Sequence, residues 1–273
     1  MQKTFDTAGP ISFYVELGSG DVKVHADEVT ESTVHVDGRD ADDVVVEQRG
    51  NQVVVIAPKR RAGFFDTNGE LTVTATVPLD SELVTKLGSA DLAATGRYGT
   101  VRVKSGSGEV RIAELTGDAV VETGSGDISL DTSLGNLRVK SGSGDVGVER
   151  TAASTVISTG SGDVYVGVAE ADTVVKSGSG DVQVRDAHTD LALSTASGEL
   201  RVNTFRLGSL KAKGVSGDVS VGIPAGIPVW TDISSVSGSV RSSLEGAGQP
   251  EEGQDFIELR ASTVSGDIVL EQL

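Results

Sequence analysis

The sequence contains no cysteine, one methionine and one tryptophan, and aromatic residues make up only 4% of its 273 positions. Without cysteine there is no disulfide framework and no thiolate metal site. Scarce aromatics disfavour a conventional globular core, which leans on large rings. The apolar share rests on Val, Leu, Ile and Ala, which suits thin, repeated β layers. Basic residues are also in short supply, 23 Lys and Arg against 40 Asp and Glu, for a formal net charge of −17. That balance argues against DNA or RNA as a partner, because phosphate binding needs clustered cations. It disfavours simple docking on an anionic bilayer as well, while leaving cation binding open. Long hydrophobic runs are missing. No stretch approaches the roughly 18 apolar residues of a membrane span, and the start, Met1-Gln2-Lys3-Thr4-Phe5-Asp6, has no apolar leader core. The cytoplasm is therefore the expected location, with surface association left open.

What the chain has in abundance is glycine, 35 residues, and a period. Ser-Gly followed by an acid recurs with the acid at Glu109, Asp127, Asp145, Asp163, Asp181 and Glu199, each step being 18 residues. The register then loosens to Asp218, to Ser239 in the acid's place, and to Asp267. Upstream, Ser89-Ala90-Asp91 is a degenerate copy, and Ser19-Gly20-Asp21 stands isolated. After the acid come Val110, Ile128, Val146, Val164, Val182, Leu200 and Val219. Two positions further on come Ile112, Leu130, Val148, Val166, Val184, Val202 and Val221, with variable residues between. This period-two alternation marks a half-buried strand. Six positions before the acid, Val103, Val121, Val139, Ile157, Val175 and Leu193 mark a second strand. Each coil thus holds two short strands joined by a glycine-rich corner.

β-Branched residues and glycine at this density make poor helices. A fixed period with identical columns favours stacking in register over antiparallel hairpins. The expected fold is all-β: a parallel β-helix (β-solenoid) of about 18 residues per coil, forming a single domain over 1–273. Within it, residues 1–85 form an irregular β-rich region and cap, 86–222 the regular repeats, and 223–273 C-terminal coils with insertions. Candidate strands before the repeats are Ile11–Leu17, Val22–His25, Thr33–Val36, Val44–Glu47, Gln52–Ile56 and Leu71–Val77. Trp230 and Phe205 are candidate end-cap residues, and 245–255 reads as a solvated acidic loop.

The repeated Lys-Ser-Gly-Ser-Gly-Asp-Val-x-Val and the ending Ser262-Thr263-Val264-Ser265-Gly266-Asp267-Ile268 resemble the DUF4097 family of bacterial proposed adhesins, also called toastrack domains. The resemblance spans essentially the whole chain. It implies a single-stranded right-handed β-helix without established catalysis, in a family often tied to cell-envelope stress.

Three functional classes compete. The first is a non-catalytic scaffold or binding module for a protein or envelope component. Its outward residues Arg102, Lys104, Arg138, Lys140 and Lys176 would form a basic stripe on an acidic body, with lysines on alternate coils about 9–10 Å apart. The second is a Ca²⁺-dependent surface adhesin using the acid column Glu109, Asp127, Asp145, Asp163, Asp181, Glu199, Asp218 and Asp267. Carboxylates stacked at about 4.8 Å repel by roughly 0.9 kcal/mol per pair in water, so something must offset them: a cation, or hydrogen bonds from serine hydroxyls and corner N–H groups. Here the acid directly follows the glycine and the other half-coil has no glycine motif, unlike calcium-binding β-rolls. The structural reading of the column is therefore favoured. The third is a polysaccharide-active enzyme, for which only Lys59–Asn68 (Arg60, Arg61, Asp66) and the loop after Leu244 break the repeat. Neither converges on a catalytic constellation. Gly142-Ser143-Gly144-Asp145-Val146-Gly147 matches a dinucleotide fingerprint only as a by-product of the repeat, with no helix to follow. His25, His35 and His188 lack metal spacing. No enzyme, cofactor or metal site is expected.

Overall fold

The computed structural model describes residues 1–58, 71–245 and 255–273, and the chain divides into two compact units, residues 1–136 and 137–273. Among the described residues there is no α-helix, and no helix long and apolar enough to cross a membrane.

The first unit holds β1 (Gln2–Asp6), β2 (Ser12–Leu17), β3 (Gly20–Asp27), β4 (Glu31–Asp37), β5 (Val45–Arg49), β6 (Gln52–Ile56), β7 (Leu71–Pro78), β8 (Glu82–Leu87), β9 (Asp91–Tyr98), β10 (Val101–Ser105), β11 (Val110–Leu115), β12 (Ala119–Thr123) and β13 (Ile128–Ser133). Its regular part alternates between two parallel ladders. Val110 lies opposite Ile128 and Ile112 opposite Leu130 in one, while Val101 lies opposite Ala119 and Val103 opposite Val121 in the other. Matching positions of successive 18-mers therefore lie side by side, as the columns require. The inward members are fully buried. Each contributes very roughly 1.5–3 kcal/mol of apolar burial, so every coil is held by its neighbours.

The start of the chain departs from sequential stacking. β2 pairs in parallel with both β6 and β8, and β3 with both β7 and β9. The first coil is thus interleaved between the second and the third. Ser19-Gly20-Asp21 is consequently a true member of the corner column, with Asp21 opposite Asp91. Antiparallel strands close this end: β4 on β7, β1 on β4 and β5 on β6. All six candidate strands before the repeats are present, and β1 joins them. Tyr98 is buried here and donates its hydroxyl hydrogen to the Val24 carbonyl at 2.8 Å. Residues 59–70, with Arg60, Arg61 and Asp66, lie outside the described residues.

The second unit holds β14 (Leu137–Ser141), β15 (Val146–Thr151), β16 (Thr155–Ser161), β17 (Val164–Ala169), β18 (Thr173–Ser179), β19 (Val182–Ala187), β20 (Leu191–Ser197), β21 (Leu200–Phe205), β22 (Gly208–Ser216), β23 (Val219–Ile223), β24 (Val229–Ser237), β25 (Val240–Ser242), β26 (Ile257–Ser265) and β27 (Ile268–Gln272). The even-numbered strands β14 to β22 form one parallel ladder and the odd-numbered β15 to β23 the other.

Beyond β23 the sequential expectation fails again. β26 pairs with β22 on one side and β24 on the other, and β27 lies between β23 and β25. The order along the corner column is therefore Asp218, Asp267, Ser239, and not the order in the chain. Phe205 is buried but is no end cap: it lies on β21, with β23, β27 and β25 stacked beyond it, so it packs the interior of the solenoid. Trp230 is not a buried cap: it is 50% exposed, with the Arg260 guanidinium 5.4 Å from its ring centre. Most of the expected acidic loop, 246–254, lies outside the described residues.

Candidate functional site

The corners decide what the acid column does. From Asp91 onward, each aspartate of the column that is followed by a neighbouring coil in its own unit turns Oδ1 onto the backbone N–H of the next column residue. Asp91 accepts from Glu109, Asp145 from Asp163, Asp163 from Asp181 and Asp181 from Glu199, all at 2.8 Å. Asp218 accepts from Asp267 at 2.7 Å, and Asp267 from Ser239 at 2.8 Å. The Ser239 N–H holds the Asp267 carboxyl below its ordinary pKa. The two glutamates are a methylene longer and pair instead with the arginine two positions on, Glu109 with Arg111 and Glu199 with Arg201. The offset to carboxylate repulsion thus comes from backbone N–H donors, and not from the serine hydroxyls also anticipated.

Those hydroxyls have another task. Ser105, Thr123 and Ser141 donate to the carbonyls of Gly108, Gly126 and Gly144 three residues on. From the next coil onward the corner changes. Gly162, Gly180, Gly198, Gly217 and Gly266 adopt φ between 138° and 150°, a region that favours glycine. The N–H groups of Gly162, Gly180, Gly198 and Gly217 reach the serine carbonyl of the adjoining coil at 2.9–3.1 Å. Thr159 Oγ1 and Ser177 Oγ are then buried without a partner. The heptapeptide Lys-Ser-Gly-Ser-Gly-Asp-Val occurs at 140–146 and at 176–182 in these two different forms, so the neighbouring coil selects the corner and the local sequence does not.

With the corners spent on structure, the outward faces remain. In the first unit, Arg102 and Lys104 project from β10. They are not a free cationic stripe, because Arg102 pairs with Glu82, and Lys104 lies 3.4 Å from Glu122 on the adjoining strand. Lys86, opposite Lys104, lies 5.7 Å from the Tyr14 ring centre.

The second unit gathers cations on strands that lack acids. Strands β14, β16, β18, β20 and β22 are adjacent, and none contains an aspartate or glutamate, in a chain of net charge −17. They carry Arg138, Lys140, Lys176, Lys211 and Lys213, all exposed. The register places Lys140, Ser158, Lys176, Ser194 and Lys213 in one column, with lysine on every second strand. Beside it runs a half-buried column of Val156, Val174 and Ala192, ending at Arg138 and Lys211. On the other side lie the exposed serines Ser161, Ser179, Ser197 and Ser216. Among the described residues, Arg138, Lys176, Lys211 and Lys213 have no carboxylate within ion-pair distance. The face was thus legible in part: Lys140 and Lys176 stand in the predicted column. Lys213, five residues before Asp218, extends it, and the strict 18-residue count had stopped one coil short.

Two of the three histidines lie beside acids. His188 Nε2 is 3.2 Å from Asp186, and His25 Nε2 is 3.7 Å from Asp27. Partial burial opposes ionisation of Asp186, yet hydrogen bonds from Arg206 and His188 keep its pKa below the ordinary aspartate value. Among the described residues no cluster of three or more His, Cys, Asp or Glu could hold a metal ion.

A family model described as Toastrack DUF4097 matches residues 10–271. None of the curated proteins compared matches the chain. Among solved structures, a proposed cell adhesion protein from Clostridium sporogenes is 13% identical, covering 100% of this chain and 99% of its own, with a TM-score of 0.22. A proposed adhesin from Parabacteroides merdae is also 13% identical, with coverage of 100% and 95% and a TM-score of 0.38. A proposed lipid-binding protein from Parabacteroides distasonis is 16% identical, with coverage of 98% and 96% and a TM-score of 0.38.

Proposed function

The chain belongs to the Toastrack DUF4097 family, and from that premise we propose that it is a non-catalytic, adhesin-like binding scaffold that holds an anionic partner on the carboxylate-free face of β14, β16, β18, β20 and β22. One observation carries this reading: five adjacent strands with five exposed cations and no acid, in a protein with 17 more acidic than basic side chains. Local sign decides contact at such a face, because charges beyond a Debye length of about 8 Å are largely screened at physiological ionic strength. The rigid ladder beneath fixes the spacing of the cations, which lowers the ordering cost of binding.

Several side chains that catalysis could recruit are engaged otherwise. The column aspartates bind backbone N–H groups, and His188 pairs with Asp186. A protein or cell-envelope component is the partner this reading calls for, and fractionation of native cells locates the meeting place. The test compares wild-type protein with the variant K140S/K176S/K213S, both immobilised and exposed to the native envelope fraction and to polyanions at rising salt. Salt-sensitive retention by the wild type and its loss in a variant of unchanged melting temperature support the reading. Equal retention by both proteins overturns it.

A further inference from the structure

We propose that the face takes a linear acidic polysaccharide, laid along the stacking direction, that presents one carboxylate to the protein for every two sugars. This rests on the reading of the face as an anion-binding surface and assigns its ligand class. Lys140, Lys176 and Lys213 stand on alternate strands of one column, so their Cα positions repeat every two strand spacings, about 9.6 Å. Between them sit Ser158 and Ser194, half-exposed hydroxyls at the intermediate strands. The face therefore reads cation, hydroxyl, cation, hydroxyl, cation. A disaccharide spans close to two strand spacings, so a chain with a carboxylate facing the protein on alternate sugars meets Lys176 and then Lys213 and sets the sugar between them against Ser194.

The flanking columns suit the same ligand. Val156, Val174 and Ala192 offer a shallow apolar strip for the C–H face of sugar rings, and Ser161, Ser179, Ser197 and Ser216 offer hydroxyls along the opposite margin. An acidic peptide fits less well. Extended, its same-side residues repeat at about 6.6–6.8 Å and lose step with the lysines within one repeat. As a polyproline helix it repeats every three residues, about 9.3 Å, but such helices are held by aromatic-lined grooves. None of β14, β16, β18, β20 and β22 contains an aromatic residue.

The experiment measures binding of hyaluronan oligosaccharides, poly-L-glutamate and an (Asp-Pro-Pro) repeat peptide by calorimetry at low and physiological salt. The proteins are the wild type, K176S, K176R and the register variant S158K/K176S. The register variant keeps the net charge but moves the middle lysine onto β16, next to Lys140 on β14 and three strands from Lys213 on β22. Hyaluronan is expected to bind the wild type and K176R best, with K176S weaker by about fivefold, the scale of one exposed charge contact. S158K/K176S is expected to stay as weak as K176S. Wild-type binding by the register variant, or tighter binding of either peptide than of hyaluronan, overturns the polysaccharide assignment and leaves the anion-binding face standing. Failure of every polyanion and of the envelope fraction removes both.

Discussion

Gly180 gives the sharpest test of the stacked corners. Its φ is +144°, and a Cβ built there would lie 2.2 Å from the Gly162 carbonyl oxygen and 2.7 Å from its carbon. Both atoms are backbone of the adjoining coil, so no side chain can swing aside. Gly180→Ala must either open the ladder or rotate the peptide. Opening it costs the hydrogen bonds from Gly162 N to Ser179 O at 3.1 Å and from Gly180 N to Ser197 O at 2.9 Å, about 1 kcal/mol each. Backbone strain adds roughly 1–3 kcal/mol. A total of about 3–5 kcal/mol follows, the range in which single substitutions become exceptional. Gly50 separates strain from contact, because its φ is +61° and nothing lies within 4 Å of an added Cβ. Gly50→Ala should cost only the left-handed penalty of roughly 1–2 kcal/mol. Urea unfolding followed by far-ultraviolet circular dichroism, comparing midpoints at equal slope, reads both. If Gly180→Ala shifts the midpoint no further than Gly50→Ala does, the coils are not packed backbone to backbone at this corner, and the column argument loses its geometric basis.

Other expectations follow from side chains with defined partners. Tyr98→Phe removes the buried donor to the Val24 carbonyl and should cost about 1–2 kcal/mol in urea unfolding. Asp80 has φ +60° and bonds to Arg97 at 2.9 and 2.7 Å; that hydrogen bonding holds its pKa below the ordinary 3.8. A lowered folded-state pKa stabilises the fold above the unfolded value and loses that stabilisation as pH falls through the folded one. Asp80→Asn, which tolerates positive φ, should therefore flatten the melting-temperature decline below about pH 4, and an unchanged acid limb would contradict the pairing. Trp230, the one tryptophan, is half exposed beside Arg260, so its fluorescence should be strongly quenched by acrylamide; a shielded signal would contradict its placement.

The regular coils were legible because burial imposes a period of two and the solenoid imposes a period of 18, and Val110, Ile128, Val146, Val164 and Val182 obey both. The ends were not. Asp21 meets Asp91 across 70 residues, and Asp218 meets Asp267 across 49, distances set by which coil arrives between two others and not by any repeat. Nor could the sequence distinguish the two corner forms, since one heptapeptide adopts both. At the candidate face, Lys140 and Lys176 could be read from the column. The ion pairing of Arg102 and Lys104 depended on cross-strand neighbours, and Glu82 reaches Arg102 diagonally across the ladder.

The interleaved C-terminal coil has a mechanical consequence. In an ordinary spiral stack, tension on the last coil peels an outer layer one hydrogen bond at a time. Here residues 257–272 lie with β22 and β23 on one side and β24 and β25 on the other. A load applied at Leu273 must therefore shear two ladders together before anything unzips. Strands β26 and β27 are thus held on both flanks, where an edge pair would be held on one.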